Sequence, residues 1–180
     1  MKATGIVRRI DDLGRIVIPK EIRRTMHIRE GDPLEIYTDR EGEVIFKKYS
    51  PIGELTEFAA RYAETLHKTC GLAVAICDRD AVVACSGIPR KEYTDRPLSS
   101  ELEEAMERRA LYTSQSGDPV PLTDGGSYSV NCMMPIITEG DITGCVASLV
   151  PKDGERQAVG EMETKLIQTA AGFLGIQLEN

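Results

Sequence analysis

Residues 4–28 read TGIVRRIDDLGRIVIPKEIRRTMHI, and this stretch decides how the N-terminal part of the chain folds. It contains two β-rich runs, an Asp-Asp-Leu-Gly turn and a Pro19 that suits the first turn of a helix. Residues 1–29 carry eight Lys/Arg against three Asp/Glu, whereas the whole chain of 180 residues has a net charge of −7. A basic block in an acidic protein indicates a nucleic-acid-binding surface.

The residue pattern predicts a small, mainly-β unit over residues 1–50. Strands are expected at 5–10 and 15–18, joined by a turn in which Gly14 can take positive φ. A short helix is expected at 20–27, with Ile22 and Met26 one turn apart on its core face. Alternating residues at 34–39 and 44–48 predict a β-hairpin.

Such a unit is expected to need a second copy. About 50 residues with one short helix bury too little apolar surface to be stable alone, and no disulfide or metal compensates. Apolar residues occupy both faces of the first two predicted strands: Ile6, Val7, Ile10, Ile16, Val17 and Ile18. We therefore expect a homodimer through residues 1–50, in which strands from two chains share one core.

The core D-x-L-G-R-x-V-I-P-x-E-x-R-R resembles the N-terminal domain of the AbrB family of transition-state regulators. The resemblance covers residues 1–50 and implies a swapped-hairpin dimer that binds double-stranded, A/T-rich DNA. It also implies that Arg8, Arg15, Arg23 and Arg24 contact DNA. Arg is permanently charged and presents a fork of donors that matches phosphate or guanine. The basic residues Arg9 and Lys20 are added as neighbouring candidates.

Residues 51–180 predict a second domain of the α+β class. Ser50 and Pro51 suit the start of a helix at about 52–69, and a second terminal helix is expected at 159–178. Between them, strands are expected at 72–77, 81–86, 111–114, 127–137 and 142–150. Ser100-x-x-Glu103 reads as a capping box for a helix at 100–109. The last helix has two apolar stripes, one for the sheet and one for a partner.

This order of elements resembles a GAF-type sensor domain, an antiparallel sheet with terminal helices. With KYSPIGEL at 48–55 and ETKLIQTAAGFLGIQLE at 163–179, the whole chain resembles a family of sporulation regulators that couple an AbrB-type domain to a GAF domain. The resemblance implies a transcription factor, activator and repressor, of late endospore development, assembled as a homotetramer through the GAF-domain helices. A small-molecule effector could bind near five residues, which could equally be ordinary loop and edge-strand groups: Gly87, Tyr93, Tyr128, Ser129 and Asn131.

Other functions remain as alternatives. A MazE-type antitoxin shares the swapped-hairpin fold, but residues 51–180 do not read as a disordered acidic tail. Some GAF domains reduce methionine sulfoxide, yet Cys77, Cys85, Cys132 and Cys145 have no evident activating group nearby. We expect no catalytic residue, cofactor or metal, since the chain has only two His and no C-x-x-C pair. The absence of a long apolar run and of a signal sequence predicts a cytoplasmic, nucleoid-associated protein without a membrane segment.

Overall fold

A computed structural model describes residues 6–116, 118–153 and 158–179. The chain divides into two compact units, Met1–Tyr49 and Ser50–Asn180. In the first unit, helix α1 spans Lys20–Thr25, and strands β1 (Leu34–Thr38) and β2 (Val44–Lys48) form an antiparallel hairpin. Ile36 lies opposite Phe46 in this hairpin. The predicted hairpin is therefore confirmed, and α1 is two residues shorter than expected.

The strands expected at 5–10 and 15–18 are not formed within the single chain over the described residues 6–10 and 15–18, and Gly5 lies outside them. That they pair with a second chain stays a prediction. These residues flank a turn at 12–14, and they have no ladder partner among the described residues. Their apolar side chains remain exposed, including Val7 at 89% and Val17 at 71%. A strand requires a paired neighbour, and this segment contributes only the turn.

The second unit is built on a six-stranded antiparallel sheet. Its strands are β3 (Ala73–Asp78), β4 (Val82–Ser86), β5 (Tyr112–Thr113), β6 (Val120–Pro121), β7 (Tyr128–Thr138) and β8 (Asp141–Pro151). They lie in the order β4-β3-β8-β7-β5, and β6 also pairs with β7. The central β7–β8 hairpin has a bulge between Val130 and Cys132. The prediction missed β6, which occupies part of a Gly/Pro-rich loop; Gly117 of that loop lies outside the described residues.

Helices cover both faces of this sheet. Helices α2 (Pro51–Glu54), α3 (Thr56–Cys70) and α6 (Glu161–Leu178) pack on one face, around Ile52, Ile76, Val146, Ile167 and Leu174. Helices α4 (Arg90–Tyr93) and α5 (Ser100–Glu107) pack on the other, around Leu102, Leu122, Met133 and Cys145. These two clusters fill the space between the sheet and the helices on each face, and together they form the core of the unit.

Two helix predictions need correction. The helix expected at 52–69 is interrupted at Leu55, whose N–H donates to the carbonyl of Ile52 and ends α2 after one turn. Gly53 within this turn lowers the helix propensity there. Ser50 does cap α2, since its hydroxyl accepts a hydrogen bond from the N–H of Gly53 at 3.0 Å. For α5, the cap is Ser99 rather than Ser100, because the Ser99 hydroxyl accepts from the N–H of Leu102 at 3.2 Å.

The C-terminal end of α3 and the packing of α6 follow the sequence. Gly71 ends α3 in the left-handed conformation, with φ 71°. Of the two stripes on α6, the one with Ile167, Ala170 and Leu174 packs on the sheet and is fully buried. Within the described part of the chain, no helix combines the length and the apolar character that a membrane crossing requires.

Candidate nucleic-acid interface

All six predicted DNA-contacting residues lie on the surface of the first unit. Arg8 and Arg9 precede the turn at 12–14, and Arg15 follows it. Lys20 begins α1, while Arg23 and Arg24 occupy its last turn. Each of the six is exposed, so their charges are available to a ligand from solvent. The structure thus places two groups of cations, one around the turn and one on the short helix.

The turn that carries Arg15 is fixed by Asp11. The Oδ1 atom of Asp11 accepts from the N–H of Leu13 at 3.0 Å and from the N–H of Arg15 at 2.7 Å. The N–H of Asp11 donates to the carbonyl of Arg15 at 3.0 Å, and that of Gly14 to the carbonyl of Asp11 at 3.0 Å. Gly14 has φ 76°, which a residue with a side chain rarely adopts. The backbone around Arg15 is therefore closely specified.

Asp11 also pairs with the side chain that it positions. Its Oδ2 atom accepts from Nε of Arg15 at 2.8 Å. The backbone and side-chain hydrogen bonds from Arg15 hold the pKa of the Asp11 carboxyl below its usual value. Asp11 was not among the predicted site residues. The sequence signal for this role is an Asp at the start of a turn whose Gly is followed by an Arg.

The end of α1 is fixed by a Schellman motif. The N–H of Ile28 donates to the carbonyl of Arg23 at 2.7 Å, and the N–H of His27 donates to the carbonyl of Arg24. His27 takes φ 51°, the position where Gly is more usual. Nζ of Lys48 on β2 donates to the carbonyl of His27 at 2.8 Å. The helix that presents Arg23 and Arg24 is thus tied to the hairpin within the same unit.

The five candidate effector residues do not form one site in the second unit. The rings of Tyr93 and Tyr128 meet edge to face, with centroids 5.5 Å apart. The hydroxyl of Tyr93 accepts from the N–H of Ser127 at 2.8 Å, which fixes the loop before β7. Tyr93 is 3% exposed and packs in the cluster beneath α4 and α5.

The other three candidates are separate from this tyrosine pair. Asn131, in the β7 bulge, donates from Nδ2 to Glu163 on α6 at 2.9 Å, so it belongs to the opposite face of the sheet. The hydroxyl of Ser129 is buried, with no hydrogen-bond partner among the described residues. Gly87 has φ 82°, and a Cβ there would meet the Nδ1 atom of His67 at 2.8 Å. Among the five, the structure shows a side-chain contact between Tyr93 and Tyr128.

The cysteines have the character of core residues. Cys77, Cys85, Cys132 and Cys145 are buried, and Cys70 is half-buried. The pKa of Cys77 is raised by its contact with Cys145 and by burial, and burial also raises the pKa of Cys85. Burial and the nearby Glu163 raise the pKa of Cys132 to about 11. In the described ranges, no group of three or more His, Cys, Asp or Glu side chains is arranged to hold a metal ion.

Comparison with known proteins places this geometry in a family. Residues 54–179 match the family model described as "Stage V sporulation protein T C-terminal, transcription factor". The chain is 52% identical over 184 residues to stage V sporulation protein T of Bacillus subtilis (strain 168), with 99% of each chain covered. The chain belongs to the stage V sporulation protein T family. Further comparisons match each unit separately to other proteins.

The first unit resembles AbrB-type domains. It is 63% identical over 51 residues to the transition state regulatory protein AbrB of Bacillus subtilis (strain 168), a match that covers 28% of this chain and 52% of that protein. Residues 7–53 also match a family model described as "Antidote-toxin recognition MazE, bacterial antitoxin". The predicted AbrB-type class of the first unit is confirmed.

The second unit of this stage V sporulation protein T family member has the predicted GAF-like fold, with helices on an antiparallel sheet. A solved structure of a methyl-accepting chemotaxis protein, residues 122 to 287, shares this fold with a TM-score of 0.53. It is 18% identical and covers 70% of this chain and 91% of that chain. This likeness concerns the fold alone.

Proposed function

We propose that this protein is a DNA-binding transcriptional regulator of late endospore development, an activator at some promoters and a repressor at others. The observation that carries the proposal is the exposed set of arginines on a fixed turn and helix, in a unit 63% identical to a transition state regulator. Arg8, Arg15, Arg23 and Arg24 are the principal DNA contacts, with Arg9 and Lys20 beside them. The sites are A/T-rich double-stranded DNA, read partly through shape and flexibility.

Residues 1–50 act as a homodimer of the swapped-hairpin type. In a single chain, apolar side chains of this unit are left in solvent, notably Val7, Leu13, Val17, Ile36 and Val44, each more than half exposed. Burying them would contribute roughly 25 cal/mol for each Å² removed from water. A second copy that pairs with residues 6–18 would cover these side chains and complete the missing strands. The dimer also doubles the number of arginines on one DNA-binding surface.

Residues 51–180 join dimers into a homotetramer through their terminal helices. On α3 and α6, the rings of Phe58, Tyr62 and Phe173 stack with centroids 5.7–6.1 Å apart. Phe173 is 39% exposed, and Met162, nearer the start of the same helix, is 75% exposed. Aromatic and Met side chains on an exposed helical stripe are typical of protein–protein interfaces.

The second unit also serves as the sensor. Of the five candidates, Tyr93 and Tyr128 contact each other, and Tyr93 fixes the loop before β7, so an effector that binds at this loop would act through the pair. Gly87, Ser129 and Asn131 are weaker candidates. The protein acts in the cytoplasm, bound to the nucleoid, and has no enzymatic activity. The buried thiols with raised pKa values support this view, since a catalytic thiol needs a lowered pKa.

The DNA-binding function is tested with full-length Arg15→Ala and Arg24→Ala. Each variant is expected to weaken binding to an A/T-rich duplex and to reduce the slope of log K against log salt, by about 0.9 for each lost phosphate contact. Arg40→Ala is the matched control, because Arg40 is exposed in the same unit but lies in the β1–β2 turn. Unchanged DNA affinity in both variants would contradict the proposal and favour the antitoxin interpretation of the match at residues 7–53.

A further inference from the structure

The Asp11–Arg15 pair has a consequence for how DNA would be read. Asp11 is exposed and carries a negative charge within the most basic stretch of the chain. An exposed carboxylate at a DNA-binding surface repels the phosphates, so its presence there is electrostatically unfavourable for binding. The hydrogen bonds of Asp11 indicate a role that offsets this repulsion.

Only one of these hydrogen bonds requires a carboxylate. The two backbone N–H groups of Leu13 and Arg15 bind Oδ1, and an Asn side chain could accept both in the same way. The 2.8 Å contact between Oδ2 and Nε of Arg15 requires a second acceptor. In Asn, an NH₂ group would take the place of Oδ2, and it could not accept the hydrogen bond from Nε of Arg15. The charge of Asp11 is thus used for the arginine side chain rather than for the turn.

We propose that Asp11 is a specificity-determining positioning residue, which holds the Arg15 guanidinium so that its two terminal nitrogens face a guanine edge as a fork. The inference rests on the proposed DNA-binding function. Arg15 is 69% exposed at its side chain, and the ion pair engages Nε, on the side of the guanidinium away from the outer edge formed by the two Nη groups. A fork held in this way can donate to O6 and N7 of guanine together. An unheld arginine would instead contact phosphates in many orientations.

This role predicts opposite effects on two kinds of DNA. Without the Asp11 carboxylate, contacts to phosphates become more favourable, whereas the oriented base contact is lost. The affinity for a preferred site should therefore fall relative to that for other sequences. A bidentate arginine–guanine contact is worth about five-fold to 150-fold in discrimination. A loss of this size in the ratio of the two affinities is expected.

The experiment compares full-length Asp11→Asn with wild type on two duplexes. One is a duplex selected by the wild-type protein from a random pool, and the other is its shuffled sequence of the same composition. Asp12→Asn is the matched control, since Asp12 is the adjacent exposed carboxylate and its removal changes the charge equally. Asp11→Asn should lower the ratio of the two affinities about five-fold or more. Asp12→Asn should raise both affinities and leave the ratio unchanged.

The double variant Asp11→Asn/Arg15→Ala completes the test. If Asp11 acts through Arg15, the double variant should show no greater loss of discrimination than Arg15→Ala alone. The proposal is overturned if Asp11→Asn raises both affinities as Asp12→Asn does, or lowers both equally, since the first shows only repulsion and the second only a structural role. If Arg15→Ala and Arg24→Ala leave DNA binding intact, the proposed function itself fails.

Discussion

Glu163 joins α6 to the sheet through a small polar network. Its Oε1 atom accepts from Nδ2 of Asn131 at 2.9 Å and from the hydroxyl of Ser148 at 2.5 Å. The hydroxyl of Ser114 extends the network by donating to Oδ1 of Asn131 at 2.8 Å. Asn131 lies at the β7 bulge and faces α6, so the network connects the sheet to this helix.

The loss of this carboxylate should be costly. Glu163→Ala leaves the Asn131 amide and the Ser148 hydroxyl buried without their partner, which costs about 1–3 kcal/mol of the free energy of unfolding. Glu161→Ala is the control on the same helical turn, because Glu161 forms only an exposed pair with Lys165 and should change stability by about 0–0.5 kcal/mol. Urea denaturation of both variants measures the difference. Equal free energies of unfolding for the two variants would show that the Glu163 network contributes little to stability.

The buried thiols predict a dependence of stability on alkaline pH. Cys132 has a folded-state pKa of about 11, above the value of about 8.5 expected when it is unfolded. The unfolded chain therefore loses the thiol proton first, and stability should fall as pH rises between these two values. Cys132→Ala should make this fall less steep, whereas Cys70→Ala, at a half-buried thiol, is the control. Urea denaturation at about pH 7.5 and about pH 10 measures the effect; identical slopes in wild type and Cys132→Ala would contradict it.

At the scale of the element, α6 depends on close approach to β7. A Cβ atom at Gly175 would lie 2.7 Å from the carbonyl oxygen of Ile137, which is too close for an unchanged helix position. Gly172, one turn earlier, has no heavy atom within 4 Å of the position that a Cβ would take. The two glycines of one helix therefore have different physical roles.

Alanine at these two positions should have effects of opposite sign. Gly175→Ala should destabilise the second unit by about 1–3 kcal/mol, because the helix must shift away from β7. Gly172→Ala should stabilise it by about 0.5–1 kcal/mol through higher helix propensity. Thermal unfolding followed by circular dichroism compares the two. A similar loss of stability in both variants would mean that the helix is not held as close to Ile137 as described.

For the whole molecule, the proposed assembly would use a different interface in each unit. Each unit has exposed apolar side chains of its own, around residues 6–18 in the first and on α6 in the second. If the first surface forms a dimer and the second joins dimers, disruption of one should leave the other association intact. This separates the two interfaces experimentally.

If the proposed tetramer forms through α6, Met162→Glu is expected to convert it into a dimer. Met162 is 75% exposed, so the new charge should not disturb the fold but would be buried without a partner in an interface. Gln168→Glu, at an exposed polar position of the same helix, is the control. Light scattering measures the mass, and the DNA-binding dimer should persist. An unchanged mass for Met162→Glu would place the second interface elsewhere.

Much of this protein follows from local sequence. Four features depend on residues that are close in sequence and can therefore be predicted from it. They are the turn at 11–14, the β1–β2 hairpin, the end of α3 at Gly71 and the buried stripe of α6. The arginines of the first unit were found because charge density is a local property. The resemblance of residues 1–50 to AbrB-type domains depended on a dense, specific motif in the same stretch.

Contacts between residues far apart in sequence could be assigned only from the three-dimensional structure. The sequence did not indicate that Ser99 rather than Ser100 caps α5, because the Ser99 hydroxyl also donates to the carbonyl of Pro121 on β6. Nor did it show that Asn131 contacts Glu163, because the two residues are 32 positions apart in the chain. The strands expected at 5–10 and 15–18 need hydrogen-bonding partners that one chain does not supply. Local chemistry specifies the turn and the charges, but pairing across the sheet depends on contacts between distant segments.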